Sequence, residues 1–292
     1  MAKRGDRMAI ELRAARPEDA SACGHVLYHA FKALADQHDF PPDFPNAEVG
    51  AGVAGMLISH PSFYGIVAES GGKIIGSNFL DERSVVAGIG PISVDPETQN
   101  KGVGRRLMQD VLDRAAQKQA PGVRLVQAAY HNRSLCLYTS LGFRTREPLS
   151  VMQGKPLGLS FPGYAVRPAV DADAPACDVL CRAVHGFDRH GELQDAIRLG
   201  TARVVERAGG IAGYTTEVAF FGHSVARDND ALMALIGAAT EFSGPGFLLP
   251  TRNHEVFAWC LANGLRLVMQ MTLMTIGLYN EPAGAWLPCI LF

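Results

Sequence analysis

The stretch Val94-Asp-Pro-Glu-Thr-Gln-Asn-Lys-Gly-Val-Gly-Arg-Arg-Leu-Met108 decides the fold. It reads as the end of a strand, a short glycine loop and the start of a helix. Gln99, Gly102 and Gly104 form Q-x-x-G-x-G where that helix begins. The first amides of a helix have no partner within it, and the dipole there is positive, so the loop predicts an anion site. Glycine allows close backbone approach and left-handed dihedrals. The predicted ligand group is a pyrophosphate. The loop is not a P-loop, because no G-x-x-x-x-G-K-S/T occurs. It is not a dinucleotide fingerprint either, because Leu107 stands where the third glycine belongs.

A bare G-x-G also fits a tight strand-to-helix turn, so the flanks matter. Ahead lies an apolar strand, Val85 to Val94, whose Gly88-Ile-Gly-Pro91 predicts a bulge or splay. Behind lies a helix with Val103, Leu107, Val111, Leu112 and Ala115 on one face. Arg105 and Arg106 fall in its first turn, where cations oppose the dipole. A bound anion accounts for them; a solvated helix face is the alternative reading.

A second motif follows: Tyr130-His-Asn132-Arg-Ser-Leu-Cys-Leu-Tyr138-Thr-Ser-Leu-Gly142-Phe143. In this order and spacing the two motifs resemble the GNAT superfamily of acetyl-CoA-dependent N-acetyltransferases, strongly over residues 9 to 153. The resemblance implies an acetyl-CoA site. Gln99, Asn100, Lys101, Gly102, Val103, Gly104, Arg105 and Arg106 would hold the pyrophosphate. The splayed strand Ile92, Ser93 and Val94 would pair with the pantetheine arm and offer amides to the thioester carbonyl. Asn132 would contact the cofactor arm, with a helix N-cap as its plain structural role. Tyr138 is the expected general acid, since a phenol is protonated at neutral pH and can give its proton to a departing thiolate. Its plain alternative is aromatic packing against the sheet. Cys136 faces elsewhere on the helix, which disfavours an acyl-cysteine route. The base is not assigned; Asp81, Glu82 and His131 are candidates by location alone.

The chain has 292 residues, 48% hydrophobic and 19% charged, with net charge −2. That size suggests two domains, and that charge gives no electrostatic case for nucleic acid or an anionic membrane as partner. No apolar run has the length of a membrane span, and no signal-peptide core follows Met1 to Met8, so the reading is a cytoplasmic protein. Six scattered cysteines do not make a disulfide framework. Cys177, Cys181 and His185 recur every four residues and read as core packing rather than a metal site. His25 and His29 form a similar pair in the first helix, which would border the acceptor pocket.

The first half predicts a strand at Ile10 to Ala15, a helix to Ala35, a proline-rich loop at Phe40 to Pro45 and a helix to Leu57. Strands follow at Tyr64 to Glu69, Lys73 to Leu80 and Val85 to Val94. After the glycine loop and its helix come a strand at Val123 to Tyr130, a helix at Asn132 to Leu141 and a final strand. Pro156, Gly158, Pro162 and Gly163 mark a linker, and then the pattern restarts. Tyr164-Ala-Val-Arg167 through Asp173 echoes Glu11-Leu-Arg13 through Asp19; Ala231-Leu-Met233 echoes Arg106-Leu-Met108; Asn253 to Gly264 echoes Asn132 to Gly142. This is a diverged internal duplication.

The expected architecture is α+β, an α/β sandwich of two tandem GNAT-like domains, each a mixed, mostly antiparallel twisted sheet flanked by helices. Residues 1–155 form the catalytic domain with the acetyl-CoA loop. Residues 156–292 form a degenerate copy that completes the acceptor pocket or acts as a pseudo-dimer partner. Aligned on Leu-Met, the second copy has Ser224, Arg227 and Asn229 where the first has Gln99, Gly102 and Gly104; aligned on the later glycine, Cys260 replaces Tyr138. The expected activity is acetyl transfer from acetyl-CoA to a primary amine of a small molecule or peptide, by direct attack and without a metal. The different-class alternatives are a non-catalytic acyl-CoA sensor and a scaffold with a vestigial site. The apolar end, Trp286-Leu-Pro-Cys-Ile-Leu-Phe292, is expected to dock on its own body or on a second copy in a homodimer.

Overall fold

The computed structural model describes residues 9–40 and 42–291; Met1 to Met8, Pro41 and Phe292 lie outside the described residues. The first repeat runs β1 (Ile10–Ala14), α1 (Ala20–Gln37), α2 (Ala47–Ser59), β2 (Phe63–Ser70), β3 (Lys73–Asp81), β4 (Val86–Ile89), β5 (Ser93–Val94), α3 (Val103–Gln117), β6 (Gly122–Ala128), α4 (Asn132–Ser140) and β7 (Arg144–Gln153). The second runs β8 (Tyr164–Pro168), α5 (Ala174–His185), α6 (His190–Leu199), β9 (Arg203–Arg207), β10 (Gly210–Thr215), β11 (Ser224–Ala226), α7 (Asn229–Ala238), β12 (Phe247–Pro250), α8 (His254–Ala262), β13 (Arg266–Gly277) and β14 (Ala285–Leu287). Every predicted element is present, with ends shifted by a few residues. The predicted strand Val85 to Val94 is divided into β4 and β5, with Gly90 at φ +142° between them.

The chain packs into two compact units whose division differs from the repeat boundary near residue 155. One unit holds residues up to Glu82 together with Ile89–Gln119; the other holds Arg83–Gly88 and Ala120–Phe292.

In the first unit β1, β2 and β3 pair antiparallel, and β5 pairs with β3 through Gly76↔Val94 and Ser77↔Ser93. Successive residues of β3 face opposite ways. Ser77 shares a hydrogen bond with Ser93 at 3.1 Å, and Asn78 donates to the Leu107 carbonyl of α3 at 3.4 Å. Helices α1 and α2 cross so closely that a Cβ on Gly24 would lie 2.2 Å from Ala51 backbone, so glycine is required there. Asn46 caps α2 by accepting from the Val49 amide. The buried face of α3 is Val103, Leu107, Met108, Val111 and Ala115. It matches the predicted stripe except that Met108 is buried and Leu112 is half-buried.

In the second unit one sheet has the order β4-β6-β13-β7-β12, with β4 parallel to β6 and the other pairs antiparallel. The long strand β13, last in the second repeat's echo, lies between β6 and β7 of the first. Strand β7 in turn lies between β13 and β12. Each repeat thus completes its sheet with the other's strand, which is why contacts divide the chain elsewhere than the repeats do. The other sheet has the order β14-β11-β10-β9-β8, all antiparallel.

The internal duplication is visible bond by bond. Arg13 on β1 binds Asp19 at 2.7 Å and Glu69 at 3.0 Å; Arg167 on β8 binds Asp173 and Glu206, each at 2.7 Å. Asp19 also accepts the Arg16 amide, and Asp173 the Val170 amide. A bulge between Ile74 and Gly76 recurs between Ile211 and Gly213. The Asp95 amide donates to Ile75 at 2.9 Å, and the Arg227 amide to Ala212 at 2.9 Å. This register makes Val94 equivalent to Ala226 and Asp95 to Arg227, which corrects the pairing drawn from Leu-Met alone. Six residues, Pro96 to Lys101, have no counterpart in the second repeat.

Candidate active site

The loop from Asp95 to Gly102 is ordered by its own backbone. The Asp95 side chain accepts the Glu97 amide at 2.9 Å, its carbonyl accepts the Thr98 amide at 2.9 Å, and Pro96–Thr98 form a single 3-10 turn. The Gln99 side chain returns to donate to the Val94 carbonyl at 3.3 Å, tying the loop to β5. Asn100 and Gly102 both adopt positive φ, at +66° and +82°. Left-handed residues alternating with ordinary ones turn successive amides toward one side, the arrangement of an anion-binding nest. Gly102 is the N-cap of α3 and supplies no capping side chain. A Cβ there would meet nothing within 4 Å. The first-turn amides of Val103, Gly104 and Arg105 thus stand, without a capping side chain, at the positive end of a 15-residue helix. These features fit a pyrophosphate.

The two arginines of the first turn separate. Both are exposed, but the Arg106 guanidinium donates to the Ile10 carbonyl on β1 at 2.7 Å. Lys101 is exposed beside the loop. On β5, Ser93 is buried and Val94 half-buried, as is Ile92 just before the strand. All these residues belong to the first unit.

Asn132 and Tyr138 lie in the second unit, on α4. The N-cap of α4 is His131, so Asn132 is the first helical residue, exposed, and the N-cap role expected of it falls one residue earlier. The helix is fastened to β6 by Ser134, which donates to the Gln127 side chain at 3.0 Å. Tyr138 is 6% exposed and packs edge-to-face on Phe143 at 6.0 Å. Among the described residues its hydroxyl has no hydrogen-bond partner. Burial pushes its phenol above the usual range, which keeps it protonated. Cys136 is exposed. Of the base candidates, Glu82 is committed to Arg114 at 2.7 Å and Lys118 at 3.7 Å; Asp81 is buried on β3.

The pairs found in the helices differ in kind. Cys177 and Cys181 are fully buried in an apolar cluster with Leu180, Val184 and Val204, which is core packing. His25 and His29 meet nitrogen to nitrogen at 3.0 Å on the exposed side of α1. Sequence reasoning missed the buried chain Arg189–Glu192–His223–Tyr214. Glu192 binds Arg189 at 2.7 Å and His223 at 3.1 Å, and the other His223 nitrogen meets the Tyr214 hydroxyl at 3.1 Å. These residues are spread over α6, β10 and the approach to β11, so no local spacing announces them.

Known proteins resemble part of this sequence and the fold of nearly all of it. Residues 61–145 match the acetyltransferase (GNAT) domain family. A Pyrococcus horikoshii protein assigned as an acetyltransferase superposes with a TM-score of 0.75 at 16% identity, over 98% of this chain and 97% of that one. A GCN5-related N-acetyltransferase from Sphaerobacter thermophilus gives 0.63 at 17% identity, over 93% and 96%. A tandem GNAT protein from the clavulanic acid biosynthesis pathway gives 0.57 at 16% identity, over 92% and 98%. No curated protein sequence matches significantly. Among the described residues no helix is long and apolar enough to cross a membrane.

Proposed function

Taking as premise that the chain is a tandem member of the GNAT superfamily of acetyltransferases, we propose that it moves an acetyl group from acetyl-CoA to a primary amine of a small molecule or peptide. The observation that carries this reading is the uncapped N-terminus of α3 behind Gly102, inside the matched domain.

In this reading the amides of Val103, Gly104 and Arg105, with Gln99, Asn100, Lys101 and Gly102 shaping the loop and Arg105 and Arg106 adding charge, hold the pyrophosphate. Ile92, Ser93 and Val94 offer strand edge to the pantetheine arm, and Asn132 offers its amide side chain to the same arm. Bound acetyl-CoA supplies a thioester whose carbonyl carbon bonds to the amine nitrogen as its bond to sulfur breaks. Tyr138 donates its hydroxyl proton to the departing sulfur and is reprotonated from water. The proton lost from nitrogen passes to a base that the geometry does not single out. A lysine-like acceptor has pKa ~10.4, so delivering it neutral at pH 7 costs roughly 4–5 kcal/mol. This makes the choice of acceptor as important as the choice of base.

The test is calorimetry of acetyl-CoA with the wild type and with a folded Gly102→Glu, Gly104→Glu variant. We expect one equivalent to bind wild type and none to bind the variant, since a carboxylate would then occupy the nest. Absence of binding to wild type sinks the reading.

A further inference from the structure

On the β6-β13-β7 ribbon of the second unit, the face opposite α4 carries a cluster that the reaction above does not use. Arg124 on β6 stands opposite Thr275 on β13, and Glu147 on β7 stands opposite Leu273, two residues along. Arg124 and Glu147 are 1% and 2% exposed. The Arg124 guanidinium lies over the Phe187 ring at 5.0 Å and the Tyr279 ring at 5.4 Å; Arg146 lies over Tyr279 at 4.9 Å and donates to the Thr275 hydroxyl at 3.0 Å. Two guanidiniums thus converge on one phenol.

Among the described residues the buried Tyr279 hydroxyl, Glu147 Oε1 and His185 Nδ1 have no hydrogen-bond partner. His185 joins the cluster through Phe187, at 6.1 Å between rings. Buried polar groups are nearly always satisfied, and each exception calls for an occupant or a cost. One exception is tolerable; three around two stacked arginines point to a ligand. Its chemistry follows from the groups. Arg124, Arg146 and the Tyr279 hydroxyl are donors and two of them are cations, so they suit a carboxylate. The Glu147 charge is already met by Arg252 through Oε2, at 2.8 Å from Nε. Its free Oε1 accepts only, so it suits an N–H.

We propose that this cluster binds a small molecule bearing both a carboxylate and an N–H, the chemistry of an amino acid or its N-acyl derivative. This binding site does not rest on the acetyl-transfer reading above. Arg124, Arg146 and Tyr279 grip the carboxylate, and Glu147 Oε1 takes the N–H. A ligand stripped of its carboxylate leaves the buried Tyr279 hydroxyl without an acceptor.

The probes are the N-acetyl derivatives of the twenty common amino acids, which carry both groups, and their C-terminal amides. Binding is read by thermal shift and calorimetry on the full chain. At least one N-acetyl amino acid should bind saturably in the millimolar range or better, and its amide at least tenfold more weakly. Two variants separate binding from folding. Tyr279→Phe removes an atom that bonds to nothing in the protein, so the ligand-free melting temperature should hold while affinity falls at least fivefold. Arg146→Gln, at a half-buried position, should abolish the preference for carboxylate over amide. Acetyl-CoA affinity should be unchanged in both. Failure of all twenty acids to saturate, equal binding of an acid and its amide, or indifference to both variants overturns the proposal. The acetyl-CoA measurement stands apart, so loss of the transferase reading and loss of this site are told apart.

Discussion

The two repeats begin alike and part company at one point. Both open with an arginine on the first strand clamping an aspartate at the start of the first helix and a glutamate on the second strand. Both carry the same bulge and the same return of the next strand's amide. Beyond Asp95 the first repeat inserts Pro96 to Lys101 and starts α3 on a glycine with no capping side chain. Beyond Arg227 the second goes directly to Asp228, whose carboxylate caps α7 by accepting the Ala231 amide at 2.9 Å. The helix start proposed to hold an anion in one repeat is thus filled by a side chain in the other. Strand β14 adds a second obstruction: Ala285, Trp286 and Leu287 pair with Ala226, Val225 and Ser224. That strand edge corresponds to the one proposed to carry pantetheine in the first repeat. On the proposed reading, cofactor competence is local. A few residues at a strand-helix junction can remove it while the surrounding framework persists.

The sharpest way to break this comparison is at the equivalent positions Tyr138 and Cys260, each of whose carbonyls accepts the amide five residues on at 3.0 Å. Tyr138→Phe should lower kcat by about a hundredfold or more, at the lower range for loss of a general acid, while acetyl-CoA affinity holds. Cys260→Ala should leave kcat within a factor of about two. An enzyme indifferent to Tyr138→Phe would favour a sensor.

A second difference lies in acid sensitivity. Burial in the second unit, aided by Arg189, pulls His223 down to about 4. The folded state therefore keeps it neutral while the unfolded chain takes up a proton near 6.5. Stability should fall as pH drops from 6.5 toward 4, by on the order of 3 kcal/mol, and level off below. Melting curves over that range should lose this slope in His223→Gln. The Arg13 guanidinium beside Asp19, and that of Arg167 beside Asp173, hold both carboxyls below their usual range. Their stabilisation is present above the unfolded carboxylate pKa and disappears as pH falls through the folded values, so they yield to acid later than His223.

The shared clamp predicts equality. Arg13→Ala and Arg167→Ala should each cost about 1–3 kcal/mol in urea unfolding, because each leaves a buried aspartate without its charged partner. A large disparity would show that the two clamps, alike in geometry, support their repeats unequally. The smallest effect belongs to Asp228→Ala. Loss of the cap should cost about 1 kcal/mol and leave acetyl-CoA binding at one equivalent. Appearance of a second equivalent would mean that the aspartate alone closes the second repeat.

Much of this molecule was legible in its residues. The alternating apolar strands and the 3.6-residue stripe of α3 are local signals, so the elements could be read directly. Gly102 announced its left-handed turn because few other residues adopt that backbone at little cost. The echo of Arg13 to Asp19 in Arg167 to Asp173 announced the duplication. Other features depend on partners distant in sequence. The Leu-Met echo misaligned the second loop, because sequence similarity could not see that strand register removes Pro96 to Lys101 outright. The apolar tail was expected to dock somewhere; its register against β11, and the burial of Cys289 and Leu291, came from the fold. The exchange of β7 and β13 between repeats, the Arg189–Glu192–His223–Tyr214 chain and the unpartnered atoms around Tyr279 share one cause. Each joins residues from strands and helices far apart in the chain, and what they do depends on desolvation and on which neighbours meet them. By itself the sequence determined the elements, the duplication and the phosphate-type loop, because those rest on backbone preference and local periodicity. Tertiary structure alone decided which strand edges were covered and which buried charges were paired, because burial and pairing are properties of space rather than of spacing.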